Sequence, residues 1–336
     1  MRKIHLTGPV LALVAVGLAA CGSGSSSTST SSGAAATSSG AAASDKTVTV
    51  KVSVAPFAAY APLYVGIKAG IFTKHHLKVI PEPSGGGSES VTALISGSVQ
   101  FADPDAVATL TAASKGLPVR VVGLASQGGS TPETDYSCLA VRKPSIKGPK
   151  DMEGKTVAVN SLNNIVTLSL KGALSKQGVD VSKVKFAEIP VPDEPVALEQ
   201  NRVDGVSVTE PFCSFMESKG ARSLSATFAD TTPDMLTGVW VTTQKYIDDH
   251  GDVARNFAAA ISEANVYSVA HPEVVREVVP TFTQIPAAAA KTMKLPSWTA
   301  GLNRSSLALI DELSRKFGMY DKKVDTGSLV PSFVTE

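Results

Sequence analysis

The sequence predicts an α/β fold of two similar lobes, joined by two chain crossings and enclosing a cleft. Three observations carry this expectation. Short β-branched runs alternate with helix-length segments from Thr47 onward, that alternation occurs twice, and a stretch at 126–136 rich in Gly, Ser, Thr and Pro separates the two sets. A chain of 336 residues has room for about two domains at roughly 150 residues each.

The elements follow in order from an N-terminal address. Met1-Arg2-Lys3 gives a positive start, Val10 to Ala20 is apolar, and Leu18-Ala19-Ala20-Cys21 places small residues before a cysteine. This reads as a secretory signal over 1–20 with a lipobox, and Cys21 as the lipid acceptor, because the apolar stretch is too short to span a bilayer. An ordinary secretory signal with a chance cysteine is the alternative. Residues 22–44 are only Gly, Ser, Thr and Ala, which cannot bury enough apolar surface to offset chain entropy, so 21–46 is expected to be a lipidated tether. Losing Arg2 and Lys3 with the leader turns a net charge of +1 into -1, so lipid rather than charge would hold the protein at a membrane.

The first lobe is expected over 47–130 and 242–336, and the second over 131–241. Strands are predicted at Thr47 to Ala55, Leu77 to Pro81, Val99 to Ala102 and Val119 to Ala125, with helices at 62–70, 88–97 and 105–115 between them. The second set has strands at Cys138 to Arg142, Thr156 to Asn160, Val184 to Ile189 and Gly205 to Val208, and helices at 163–177, 194–201 and 211–219. Both sets read as largely parallel sheets. Gly238 to Thr242 is a further strand, a second crossing is expected near 231–237, and mainly helical chain, including 252–270 and 299–317, returns to the first lobe.

Composition excludes several functions. With 43% hydrophobic and 18% charged residues, and no apolar run of membrane-spanning length, a polytopic membrane protein is ruled out. Thirty-one Lys and Arg against thirty Asp and Glu leave no basic block for nucleic acid. His5, His75, His76, His250 and His271 lack metal-ligand spacing, and Cys21, Cys138 and Cys213 cannot form a four-thiolate site, so no metal and no cofactor is expected. Cys138 and Cys213 could pair outside the cytosol, which sequence leaves open.

Ligands of open α/β sheets sit beyond the strand carboxyl ends, and the candidate contacts are read there. Gly86, Gly87 and Ser88, within Gly85-Gly86-Gly87-Ser88-Glu89-Ser90, lie between a strand and a helix, where backbone N–H groups can converge on a ligand oxygen and Ser88 and Ser90 can add hydroxyls. The competing reading is a turn capped by Ser88. Ser161 and Asn163 occupy a second such junction, with helix capping as the alternative. Phe57, Tyr60 and Tyr64 surround the first strand-to-helix junction and could wall a pocket or fill a core. Asp103, Asp105 and Glu210 put carboxylates at strand ends; without a nucleophile, metal set or histidine partner, capping, interlobe bonding or ligand donors explain them more economically than acid-base chemistry. Gly154-Lys155-Thr156 is not a phosphate loop: five residues separate Gly148 from Gly154 instead of four, and Thr156 starts a strand rather than a helix.

Taken in order, Ala61-Pro62-Leu63-Tyr64-Val65-Gly66, Gly70-Ile71-Phe72, Leu77-Lys78-Val79, the glycine-serine run, Leu94-Ile95-Ser96-Gly97 and Phe101-Ala102-Asp103 carry a family likeness. It continues through Asp151-Met152-Glu153-Gly154-Lys155-Thr156-Val157-Ala158-Val159, Val203-Asp204-Gly205-Val206 and Glu210-Pro211-Phe212. The chain resembles the lipid-anchored substrate-binding proteins of ABC importers for nitrate, sulfonates, taurine and thiamine precursors. The resemblance implies a type II periplasmic-binding-protein-like fold whose lobes close on a small-molecule solute and present it to the permease membrane subunits. It implies an extracytoplasmic, membrane-anchored monomer that is not an enzyme. Thiamine-precursor binders of the family have Asn and His where Ala59 and Tyr60 stand here, which disfavours a pyrimidine. A small organic anion of the sulfonate, nitrate or taurine kind is favoured, with a heteroaromatic binder, an extracytoplasmic sensor and a secreted enzyme as alternatives.

Overall fold

The computed structural model describes residues 46–336; the leader, Cys21 and the tether lie outside the described residues. Ten strands form two five-stranded sheets. They are β1 Val48–Val54, β2 Leu77–Pro83, β3 Phe101–Ala102, β4 Val119–Gln127, β5 Ser137–Val141, β6 Thr156–Val159, β7 Lys185–Glu188, β8 Gly205–Thr209, β9 Arg222–Ser223 and β10 Leu236–Thr243. The first sheet has the order β2-β1-β3-β10-β4 and the second β7-β6-β8-β5-β9. Alternating strands and helices therefore produce two α/β layers, as their hydrophobic pattern requires.

Both sheets are mixed rather than largely parallel. β1 runs parallel to β2 and β3, but β10 is antiparallel to β3 and β4. β6 is parallel to β7 and β8, whereas β5 is antiparallel to β8 and β9. The cause is the crossing itself. A chain that leaves one sheet at its strand carboxyl ends enters the other sheet from the same side and must run the opposite way. The strand read at Gly238 to Thr242 is thus Leu236–Thr243 and lies within the first sheet, although the sequence boundary at 241 grouped it with the second set. The return crossing ends before Leu236.

The two crossings hold each other. Gly128 N–H donates to Met235 O at 2.8 Å, and Asp234 N–H donates to Gly129 O at 3.2 Å. The Asp135 carboxylate on the outgoing crossing accepts from the N–H groups of Phe228 (3.0 Å) and Ala229 (2.9 Å) on the returning one. Gly129 permits the outgoing crossing to fold back on itself, since a Cβ there would stand 2.5 Å from the Asp135 backbone nitrogen.

Apolar burial supports this frame. One cluster joins Val52, Phe101 and Trp240 of the first sheet to Phe257 and Ile261 of helix Gly251–Ala270, with the Phe101 and Phe257 rings stacked at 3.8 Å. The C-terminal helices do return to the first sheet: Leu307 and Ile310 of helix Arg304–Lys316 pack with Val107 and Leu110 of helix Ala106–Ser114. Ile165 and Leu168, from the helix that follows β6, belong to the same cluster, so apolar packing reaches from the second set of elements to the first. In the second sheet Cys138 of β5 and Cys213 of helix Phe212–Ser218 form a disulfide with Cα atoms 6.0 Å apart. No helix among the described residues is long and apolar enough to cross a membrane.

Candidate functional site

The carboxyl ends of β1, β2 and β3 converge on Asp103. Its Oδ2 accepts from Ala55 N–H at 2.6 Å, just past β1, and its Oδ1 accepts from Ser90 Oγ–H at 2.7 Å. Ser90 in turn lies 2.8 Å from Ser84 Oγ and 3.1 Å from Ser53 Oγ, forming a buried hydroxyl chain across two strands and helix Gly87–Ile95. Asp103 is 1% exposed, and burial pushes its carboxyl from 3.8 up to about 7, opposed by the Ser90 and Ala55 hydrogen bonds. This aspartate is a structural anchor, with both oxygens engaged.

Asp105 is the N-cap of helix Ala106–Ser114. Its extended backbone lets Oδ1 accept from Val107 N–H at 2.9 Å and Ala108 N–H at 3.1 Å. The same oxygen accepts from Ile165 N–H at 3.2 Å, the first residue of helix Ile165–Lys176 on the other set of elements. A third helix start lies beside it, because a Cβ on Gly87 would fall 3.1 Å from Asp105 Oδ2 and 2.9 Å from the Ala108 Cβ. Gly86, with φ of 141°, turns the chain into that helix. Burial raises the Asp105 carboxyl to about 6, against the hydrogen bonds from Ala108, Val107 and Ile165. One carboxylate thus sits where three positive helix ends meet.

Tyr60 completes this junction. Its ring packs edge-on against Trp240 at 5.9 Å, and burial, with Asp103 and Asp105 adding repulsion, pushes its hydroxyl well above the usual range. Tyr64 faces elsewhere: its ring stacks on Phe282 with centroids 3.9 Å apart. Phe57 is an exposed ring at the same strand end. Trp298 fixes this loop by donating from Nε1 to Ala59 O at 3.0 Å.

On the opposite side Glu210 follows β8. Its side chain accepts from Ser214 N–H (3.1 Å) and Ser214 Oγ–H (2.7 Å) within the second set, and from Lys294 N–H at 3.4 Å in the chain that returns to the first. Glu210 is therefore, like Asp105, a carboxylate that connects the two sets. Ser161 and Asn163 lie at the β6 end, where Asn163 is exposed and Ser161 O accepts from Thr167 Oγ1–H at 2.5 Å. Helix capping there is done by Asn164, whose Oδ1 accepts from Thr167 N–H. Ser88 is exposed and Gly86, rather than Ser88, is the N-cap of its helix.

The structure thus brings Tyr60, Gly86, Gly87, Asp103 and Asp105 together and sets Glu210 at the second junction, while Tyr64 and Asn163 stand apart. Sequence reasoning missed the amides of Ile165 and Lys294, which no side-chain pattern announces. It also missed Ser53 and Ser84, ordinary residues of a strand and its end until the fold joins them. Among the described residues no cluster of His, Cys, Asp and Glu could hold a metal ion.

Comparison with known proteins supplies the context. The family model described as NMT1/THI5 like matches residues 58–274. A taurine-binding periplasmic protein of Escherichia coli (strain K12) is 28% identical over 188 residues, which cover 56% of this chain and 57% of the relative; the chain thus spans little more than half the length of that curated protein. The alkanesulfonate-binding protein of Xanthomonas axonopodis pv. citri, solved with MOPS bound, superposes with a TM-score of 0.69 at 15% identity, covering 85% of this chain and 99% of that one. The periplasmic nitrate-binding protein of Synechocystis PCC 6803 gives 0.69 at 12% identity, covering 84% and 85%. These superpositions show the type II periplasmic-binding-protein-like fold, two mixed sheets in two α/β lobes. On the family match, the chain belongs to the NMT1/THI5-like family of binding proteins.

Proposed function

We propose that this protein is an extracytoplasmic solute-binding lipoprotein that captures a small polar solute of the sulfonate, nitrate or taurine class and delivers it to the permease of an ABC importer. The observation that carries the reading is the pairing of Asp105 with Ile165 N–H, a contact between helix starts on two lobes at the strand carboxyl ends. Ligands of such sheets sit at that position. Capture is a population shift: a solute touching both lobes stabilises the closed form that the permease reads. Tyr60, Gly86, Gly87, Asp103, Asp105 and Glu210 frame the site, with Phe57, Ser88, Ser161 and Asn163 at its rim. Tyr64 supports it through Phe282.

The receptor would perform no chemistry. Asp103 has both oxygens hydrogen-bonded and is 1% exposed, which suits an anchor better than a proton-transfer group. A stacked-ring site for a heteroaromatic ligand has less support, because Phe282 already covers the Tyr64 face. Cys21 would carry the lipid and 22–44 the tether, keeping a monomeric receptor beside its permease. Small-angle scattering of the leader-free protein tests capture: compaction on adding a solute that is recovered unchanged supports the reading, and binding with no change in shape contradicts it. Labelling with a radioactive fatty acid tests the anchor, since Cys21→Ala is expected to lose the label and release the protein from the membrane.

A further inference from the structure

A second cavity lies apart from the junction of the two lobes. It is a groove of about 180 Å³ between helix Gly87–Ile95 and the edge of the first sheet, and every residue that lines it falls between Lys51 and Val99. Strand alternation makes its floor: Lys51 and Ser53 project from one face of β1, and Glu82 of the edge strand β2 stands in register with Ser53. Glu89 and Ala93, one turn apart on the helix, form the opposite wall.

The hydroxyls at its base have a fixed direction. Ser90 has one hydroxyl proton and gives it to Asp103 Oδ1, so its oxygen only accepts, and the Ser53 and Ser84 hydroxyls both donate to it. Ser53 and Ser84 are 2% and 8% exposed and line the groove, and among the described residues their oxygens accept no hydrogen bond. Two buried acceptors thus face the cavity without a donor, which a bound donor would relieve. The charges agree. Lys51 Nζ is held by Glu82 Oε1 at 3.0 Å, and Glu89 Oε2 takes Gly85 N–H at 2.7 Å. One lysine against two glutamates leaves the lining at -1, with the second oxygen of each carboxylate uncommitted among the described residues.

We propose that this groove is a second ligand site, separate from the cleft, that binds a small primary alkylammonium: its N–H groups donate to Ser53 Oγ, Ser84 Oγ and the Glu82 carboxylate, and its carbon chain lies on Pro83, Ala93 and Val99. A cavity of this volume holds about six to eight non-hydrogen atoms, the size of a short amine. Nothing in the site depends on capture of a solute between the lobes.

Propylammonium, n-propanol and propionate share a carbon chain and differ in the head group. Each is titrated at matched ionic strength into nitrogen-15-labelled leader-free protein at about pH 8.5, where Asp103 is ionised and the amine keeps its charge, and binding is read at individual amides by NMR. Propylammonium is expected to shift the Ser53, Ser84 and Ala93 amides saturably and to bind at least about tenfold tighter than n-propanol, with propionate inert. Ser84→Ala removes one acceptor and should weaken propylammonium about tenfold, and Glu82→Gln removes charge at the rim and should weaken it about threefold.

The absence of saturable shifts, shifts confined to the surroundings of Asp105 and Glu210, or equal binding of n-propanol overturns the inference. So does unchanged affinity in a Ser84→Ala protein that folds, judged by circular dichroism and cooperative melting. If Ser84→Ala does not fold, Glu82→Gln decides, since that side chain is 41% exposed, and unchanged affinity there is equally contrary. The receptor reading fails separately, if no solute compacts the wild-type protein.

Discussion

Asp103 shows what burial costs a carboxylate. Its acid form is favoured in the folded protein up to about pH 7, whereas the unfolded chain releases the proton near 3.8. Folding therefore takes up a proton between these values, and stability falls as pH rises from about 4 to about 7, levelling off above. For a residue this buried the shift corresponds to ~4 kcal/mol as an upper scale. Asp103→Asn removes the titration, so urea midpoints measured from pH 4 to 8 should flatten relative to the wild type; an unchanged slope would refute the assignment. Glu194 behaves alike from a different place. It is fully buried at the start of helix Glu194–Glu199, neither carboxyl oxygen finds a partner, and burial lifts it to about 8. Its contribution is lost as pH rises from about 4.5 to about 8, so Glu194→Gln should melt higher than the wild type at pH 9, by less at pH 6, and close to it only near pH 4.

Among the elements, the crossings are joined by buried polar ties. Asp135 joins them through the amides of Phe228 and Ala229, so Asp135→Ala is expected to cost about 2 to 3 kcal/mol in denaturant unfolding. The disulfide ties β5 to the helix beside Glu210 across a separation of 75 residues, and replacing both cysteines with alanine should cost about 2 to 4 kcal/mol. The pattern of β-branched runs made nine of the ten strands legible; β9, two residues long, has too little pattern to read. The direction of β5 and β10 was not legible, because strand polarity depends on which side the chain enters a sheet, which hydrophobic period does not encode. The short helix Thr227–Thr231 on the returning crossing was equally hidden among turn residues, whereas helix Pro272–Phe282, with Pro280 inside it, falls in the stretch read as mainly helical. In the site, the carboxylates at strand ends were visible as residue types. Their bonds to Ile165 and Lys294 were not, since a backbone amide has the same signature everywhere in a sequence.

For the whole molecule, the proposed account is a two-lobed receptor closed by its solute, and family membership, the fold and the contacts between lobes support its solute-binding part. Apolar packing of Ile165 and Leu168 with the first set supports the crossings, while Asp105 and Glu210 supply polar contacts that solute binding can adjust. The most direct test is thermal unfolding of the leader-free protein, stripped of bound solute by unfolding and refolding. The panel would span aminosulfonates, sulfonates, nitrate, bicarbonate, pyrimidines, flavins and amines. The account predicts that one small polar class, recovered chemically unchanged, stabilises the protein saturably, reaching about 4 kcal/mol at 1,000 times its Kd. A flat response across the whole panel, or conversion of the stabilising compound, would contradict it.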